Sequence, residues 1–312
     1  MPGAERIQYD EFGYFAENAA EFGIPFSPPS VRRGAVELAD GRRMSVLVWG
    51  DAPASIVLLH GGGQNAHTWD TVALALDRPL VALDLPGHGH SDAYAPAPGV
   101  SRPLAMAGDV AAVIDAVAPT AGLVVGMSLG GLTAIGLATQ RPDLVQRLAL
   151  VDITPRVDAA KAKAIADFVR GPATFASFDE LLARTIEFNP TRSESSLRRG
   201  ILHNAVQLDG GTWVWRYRRH DDAPFDEPPE QITDSLWDMV GAIDVPVLLV
   251  RGMRPQSVVD DGDEAEFLRR ARHGRVERFA EAGHSVQGDM PVELAATLAD
   301  FLDEADEGAV HQ

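Results

Sequence analysis

The chain has 312 residues and carries 45 acidic against 27 basic side chains, for a formal charge of −18. So negative a surface repels phosphate backbones and anionic lipid, which argues against nucleic-acid or membrane partners. Hydrophobic residues make up 46% of the chain and charged residues 23%, enough for a sizeable core. The absence of cysteine removes disulfides, thiolate metal sites and a cysteine nucleophile together.

The N-terminal stretch has neither a basic start nor an apolar segment of the kind that directs secretion, and the longest apolar runs are too short to span a bilayer. A cytoplasmic protein is the expectation. Residues 1–33 read as a partly ordered leader that includes the proline-rich join Ile24-Pro25-Phe26-Ser27-Pro28-Pro29. Ala35 to Ala39 and Met44 to Trp49 are then short strand candidates around the hairpin signal Asp40-Gly41.

Apolar runs at Ile56–Leu59, Leu80–Leu83, Leu123–Val125, Leu148–Val151 and Val245–Val250 follow in order. Runs that are apolar throughout suit strands buried on both faces of a parallel sheet. Helical spacing separates them, over Ala105–Ala118 and Leu129–Gln140. This alternation predicts an α/β fold, a mostly parallel central sheet with helices on both faces.

The rhythm breaks over residues 154–230, too long a stretch for a plain loop. It contains helix-like segments (159–169, 178–188, 194–206) and a strand-like Trp213-Val214-Trp215-Arg216-Tyr217, and reads as an inserted, mainly helical cap. The core domain is then 34–153 together with 231–312, closing on a strand at 275–279 and a helix at 291–304. Trp213, Trp215 and, at the cap's edge, Trp237 suggest either an apolar lid over substrate or simple packing of the cap. Arg216, Arg218 and Arg219 suit a solvated face or a substrate carboxylate.

Gly126-Met127-Ser128-Leu129-Gly130 follows an apolar strand and opens an apolar helix, the context of a G-x-S-x-G nucleophile elbow. With this glycine and serine content, chance supplies about 0.1 such matches. Ser128 would sit at the helix N-terminus, where free N–H groups favour a developing oxyanion. A serine nucleophile needs an imidazole, and the chain has nine histidines.

His60-Gly61-Gly62-Gly63 and Asp84-Leu85-Pro86-Gly87-His88-Gly89-His90-Ser91 each end an apolar strand, and Ala282-Gly283-His284 lies between the last strand and the last helix. In motif order and spacing the chain resembles the α/β-hydrolase fold superfamily from about Gly34 onward, especially its capped esterase, lactonase and epoxide-hydrolase-like branch. The resemblance implies Ser128 as nucleophile, His284 as base, and an oxyanion hole made by the N–H groups of Leu129 and of Gly62, with Gly63 as the alternative to Gly62. His60, His88 and His90 fit structural roles in such loops. His67, His203, His220, His273 and His311 lack supporting context.

The acid that orients the base is open between two places. Asp152 ends the strand after the nucleophile helix, and some capped relatives supply the acid from there. Many others place it after the next strand, where this chain has Pro255 and then the longer loop to Asp260 and Asp261; Asp260 there would otherwise be a helix N-cap. Asp152 is the expected acid.

The implied activity is a serine hydrolase of esters, thioesters or lactones, needing no metal or organic cofactor and taking an apolar or aromatic small molecule as substrate. Carbon–carbon bond hydrolases or lyases on the same scaffold, and a ligand receptor with slow turnover, are the alternatives. A homo-oligomer is an allowed state.

Overall fold

The computed structural model describes residues 6–93, 100–157, 159–217 and 230–304. Helix α1 (Phe15–Glu21) leads into the hairpin β1 (Val31–Glu37) and β2 (Arg43–Trp49). Strand β3 (Ile56–Leu59), helix α2 (Asp70–Leu76) and strand β4 (Leu80–Leu83) follow, then α3 (Arg102–Val117), β5 (Leu123–Met127), α4 (Leu129–Gln140) and β6 (Leu148–Val151). An insertion of α5 (Ala159–Val169), β7 (Thr174–Phe175), α6 (Phe178–Phe188), α7 (Glu194–Asn204), β8 (Ala205–Gln207) and β9 (Trp213–Trp215) comes next. The chain ends through α8 (Glu230–Ala242), β10 (Val247–Gly252), α9 (Asp261–Arg270), β11 (Gly274–Phe279), α10 (Val286–Asp289) and α11 (Pro291–Asp303).

Eight strands form one sheet in the order β1-β2-β4-β3-β5-β6-β10-β11, with antiparallel pairing only where β2 meets β1 and β4. The apolar runs make this possible because successive residues face opposite layers. Val57, Leu59, Val124, Leu150 and Leu249 enter the layer shared with α3, α4, α8 and α9. Ile56, Leu58, Val125, Val151 and Val250 enter the other, shared with α1, α2 and α11.

Several elements depart from the sequence reading. Helix α3 begins at Arg102 because Pro103 sits in its first turn, where a missing N–H costs nothing. The stretch read as a leader contains α1 and the start of β1. Phe15 packs on Trp49, ring centroids 4.9 Å apart, and Arg199 of α7 donates to Asn18 at 2.7 Å. Residues 6–33 therefore tie the core to the insertion.

The insertion is not only helical, since β7, β9 and β8 form a three-stranded antiparallel sheet over a separate apolar cluster that includes Phe175, Leu181, Ile201 and Trp213. Trp237 belongs instead to the main core, beside Leu236 and Val240 of α8. Arg218, Arg219, His220 and His311 lie outside the described residues.

Candidate active site

Ser128 follows directly on β5 and caps α4 with φ 50° and ψ −116°, a conformation in which a non-glycine backbone is strained. The elbow closes only because two neighbours have no side chain. A Cβ on Gly126 would lie 2.4 Å from the Gly130 carbonyl oxygen, and one on Gly130 would lie 2.4 Å from that of Leu59.

Asp152 occupies the corresponding place one strand over, since Met127 of β5 is in register with Val151 of β6. It too has positive φ, 46°, and is fully buried. Its Oδ2 accepts from His284 Nδ1 at 2.9 Å, so the sheet edge brings together two residues far apart in sequence. Because Nδ1–H is the donor there, Nε2 carries the free lone pair. Among the described residues no hydrogen bond joins Ser128 Oγ to His284; unliganded sites often close such bonds only on substrate.

The end of β10 and the loop after it, which the sequence leaves as a rival source of the acid, supply donors to Asp152. Gly252 N–H and Ser257 Oγ–H reach Asp152 Oδ1 at 3.0 and 2.6 Å, and Val258 N–H reaches Oδ2 at 3.0 Å. Three donors besides the imidazole hold the buried carboxylate fixed in direction. Asp260 is the N-cap of α9 in a reciprocal capping box with Asp263, and Asp261 pairs with Arg251 at 2.8 Å.

Ser257 has no motif to announce it. We expect Ser257→Ala to lower kcat about tenfold through a misaligned Asp152, with KM little changed, read from steady-state kinetics.

Hydrogen-bond accounting separates the glycines after β3. Gly61 N–H donates to Gln64 Oε1 at 3.1 Å and Gly63 N–H donates to His88 Nε2 at 3.1 Å. Gly62 N–H has no acceptor among the described residues, and neither has Leu129 N–H in the first turn of α4. The buried histidines fix this loop as neutral rings. Leu85 N–H donates to His60 Nε2 at 2.9 Å, so its Nδ1–H faces the Gly61 carbonyl at 2.7 Å. Burial pushes His60 and His88 below the usual imidazole range.

A second cluster escaped the sequence reading. His67 Nδ1 meets Asp70 Oδ2 at 2.9 Å and its Nε2 meets Glu11 Oε1 at 3.1 Å, while His203 Nδ1 meets the Tyr9 hydroxyl at 2.9 Å. His67, Asp70 and His203 place potential metal-ligating atoms within 4.8 Å of one another. The two imidazoles stack, however, with centroids 3.8 Å apart and planes 14° from parallel. An ion in the plane of one ring would lie well outside the plane of the other, so this arrangement suits a proton better.

Burial works against a charge on His67, but Asp70 and Glu11 override it and hold the imidazole up at about 9. Burial keeps the stacked His203 neutral. A raised folded value means that this contribution to stability is complete below the unfolded value near 6.5 and is lost as pH rises through about 9. We therefore expect Tm to fall between pH 7 and 9, and this segment of the profile to flatten in His67→Gln.

The pocket beside the Gly61–Gly63 loop is walled by Gly63, Gln64, Phe168, Arg192, Trp215 and Gln287, among others. Its aromatic side is one packed set, with Trp215 edge-on to Phe168 and Phe175 and stacked on Tyr217. Trp213, two residues before Trp215 on β9, is buried in the insertion's own core, against which Trp215 also packs. Arg216 lies over the Tyr9 ring, 5.6 Å from its centroid, rather than on a solvated face.

Comparison with known proteins comes after this geometry. Residues 56–297 match the Alpha/beta hydrolase family. The chain is 43% identical to esterase Rv0045c of Mycobacterium tuberculosis over 304 residues, covering 94% of this chain and 96% of that one. It is 30% identical to a 3-hydroxybutyrate-oligomer hydrolase of Cupriavidus necator, over 81% of this chain and 90% of the relative. A crystal structure of the Mycobacterium tuberculosis esterase superposes with a TM-score of 0.79 at 43% identity, covering 96% of this chain and all (100%) of that one.

Proposed function

Because the chain belongs to the alpha/beta hydrolase family, we propose that it hydrolyses esters, including thioesters or lactones, through an acyl-enzyme on Ser128. The observation that carries this reading is the 2.9 Å bond from His284 Nδ1 to buried Asp152, one strand away from the strained elbow of Ser128. An esterase as a 43% identical relative supports the choice of bond.

In this reading His284 Nε2 takes the Ser128 hydroxyl proton as Oγ attacks the carbonyl carbon. The oxyanion gathers the two N–H groups without protein acceptors, those of Gly62 and Leu129. When the tetrahedral intermediate collapses, the imidazolium returns its proton to the departing alkoxide, leaving the acyl group on Oγ. Water then attacks, giving up a proton to Nε2, and the acid leaves as Ser128 is restored. Asp152 stabilises the imidazolium that appears twice in the cycle.

Residues 154–230 act in this scheme as a cap, held down by the N-terminal segment. No helix among the described residues is long and apolar enough to cross a membrane, and we place the protein in the cytoplasm.

The test is a panel of p-nitrophenyl esters of increasing acyl length, with rapid-quench mass spectrometry of the protein. A transient mass increase equal to the acyl group and mapping to Ser128 is expected. Hydrolysis with no modified intermediate under burst conditions would count against the covalent route.

A further inference from the structure

The pocket beside the Gly61–Gly63 loop contains a cation that the ester mechanism does not use. Arg192 precedes the N-cap of α7, and its guanidinium lies against Gly288, four residues beyond His284; a Cβ there would come within 3.1 Å of Arg192 Cζ. Its one side-chain partner is neutral, Ser196 Oγ at 2.5 Å, and its Nε is buried with no partner. Asp289 and Glu21 attract it and Arg199 repels it, yet no carboxylate forms an ion pair with it among the described residues. Arg199 is already matched by Glu17 and Glu21. A partly buried, always charged guanidinium whose carboxylate neighbours stop short of an ion pair can take a closer one from a ligand.

The same walls hold other polar atoms without partners. Gln287 Oε1, Asp70 Oδ1 and His203 Nε2 are all buried and unsatisfied, and all three residues line the pocket with Arg192. Gln287 Nε2 is engaged, reaching Thr68 Oγ1 at 3.2 Å, which leaves its oxygen as the free end. Such a lining does not fit the purely apolar substrate that the tryptophans suggest from sequence. It fits a polar limb with donors for Gln287 Oε1 and Asp70 Oδ1 and a negative charge for Arg192 alone.

We propose that Arg192 binds a carboxylate carried on one limb of the substrate, so that the preferred substrates are half-esters of dicarboxylic acids or esters of hydroxy acids with a free carboxyl group. The inference rests on the ester-hydrolase reading. Arg192 is a specificity-determining residue, since it meets the substrate's far end and not the reacting carbonyl. The planar fork of the guanidinium can take both carboxylate oxygens.

Two matched pairs of esters test this: p-nitrophenyl glutarate against p-nitrophenyl valerate, with the charge on the acyl limb, and 5-acetoxypentanoate against pentyl acetate, with the charge on the alcohol limb. In at least one pair the anionic ester should have a kcat/KM about ten- to a hundredfold higher, mainly through KM. Arg192→Gln should abolish that preference, raising KM for the anionic ester far more than for its neutral partner, while Arg192→Lys should keep part of it. Unchanged Tm and circular dichroism guard against a folding defect. Equal turnover of both members in both pairs, or a preference that survives Arg192→Gln, overturns the assignment. Failure to cleave any of the four would instead strike at the ester reading, so the two failures are distinguishable.

Discussion

Ser128→Ala is expected to lower kcat by about 10⁴-fold or more while leaving Tm within about 1 °C of the parent. In the proposed mechanism, removing the hydroxyl deletes the attacking atom, and the rest of the cycle has nothing to act on. Stability should hardly change, because alanine at this position meets the same backbone strain as serine and Ser128 Oγ makes no hydrogen bond among the described residues. A fluorophosphonate probe gives the complementary measurement. It should label the wild-type chain at Ser128 and leave the variant unlabelled. Turnover that persists in Ser128→Ala, measured on the best substrate of the ester panel, would remove the nucleophile from the scheme.

The second large effect separates two acids that the sequence could not rank by chemistry alone. Asp152→Asn should reduce kcat by about 10³- to 10⁴-fold, as a comparable amide does in a serine protease. An amide can present its NH₂ to His284 Nδ1, which favours the tautomer with the proton on Nε2, and it no longer offsets the imidazolium charge. The other three donors to Asp152 would also face a weaker acceptor. Asp260→Asn should leave kcat within about twofold, because asparagine caps a helix nearly as well as aspartate. The two variants are best compared for kcat across pH 5 to 9. If Asp260→Asn proved the damaging substitution and Asp152→Asn the silent one, the orienting acid would move to the loop after β10.

These effects show which parts of the molecule are local matters. Ile56–Leu59, Leu123–Met127 and Leu148–Val151 are readable as buried parallel strands because each run is apolar on both of its faces, a property contained in four or five consecutive residues. The elbow at Ser128 is readable for the same reason, since its two glycines are set by clashes within one turn of chain. His284 is singled out by the family resemblance, which implies the base after the last strand.

The remaining features depend on contacts between distant segments. Gly62 differs from Gly63 only because His88, a histidine on another strand's loop, occupies the Gly63 N–H. Ser257 looks like any loop serine until Asp152 is packed beneath it. His67 and His203 acquire a role only when Tyr9 and Glu11 of the N-terminal segment are laid across them. Trp237, at the edge of the insertion in sequence, joins the main core because α8 turns its apolar side to the sheet.

Composition, periodicity and short motifs thus determined the α/β scaffold and marked Ser128, and the family resemblance added His284. Tertiary structure decided which carboxylate meets the imidazole, which loop N–H is left without an acceptor among the described residues, and where Arg192 comes to rest. The physical reason is that backbone periodicity is carried by neighbouring residues, whereas the partner of a buried polar group is chosen by whatever the fold brings within about 3 Å of it.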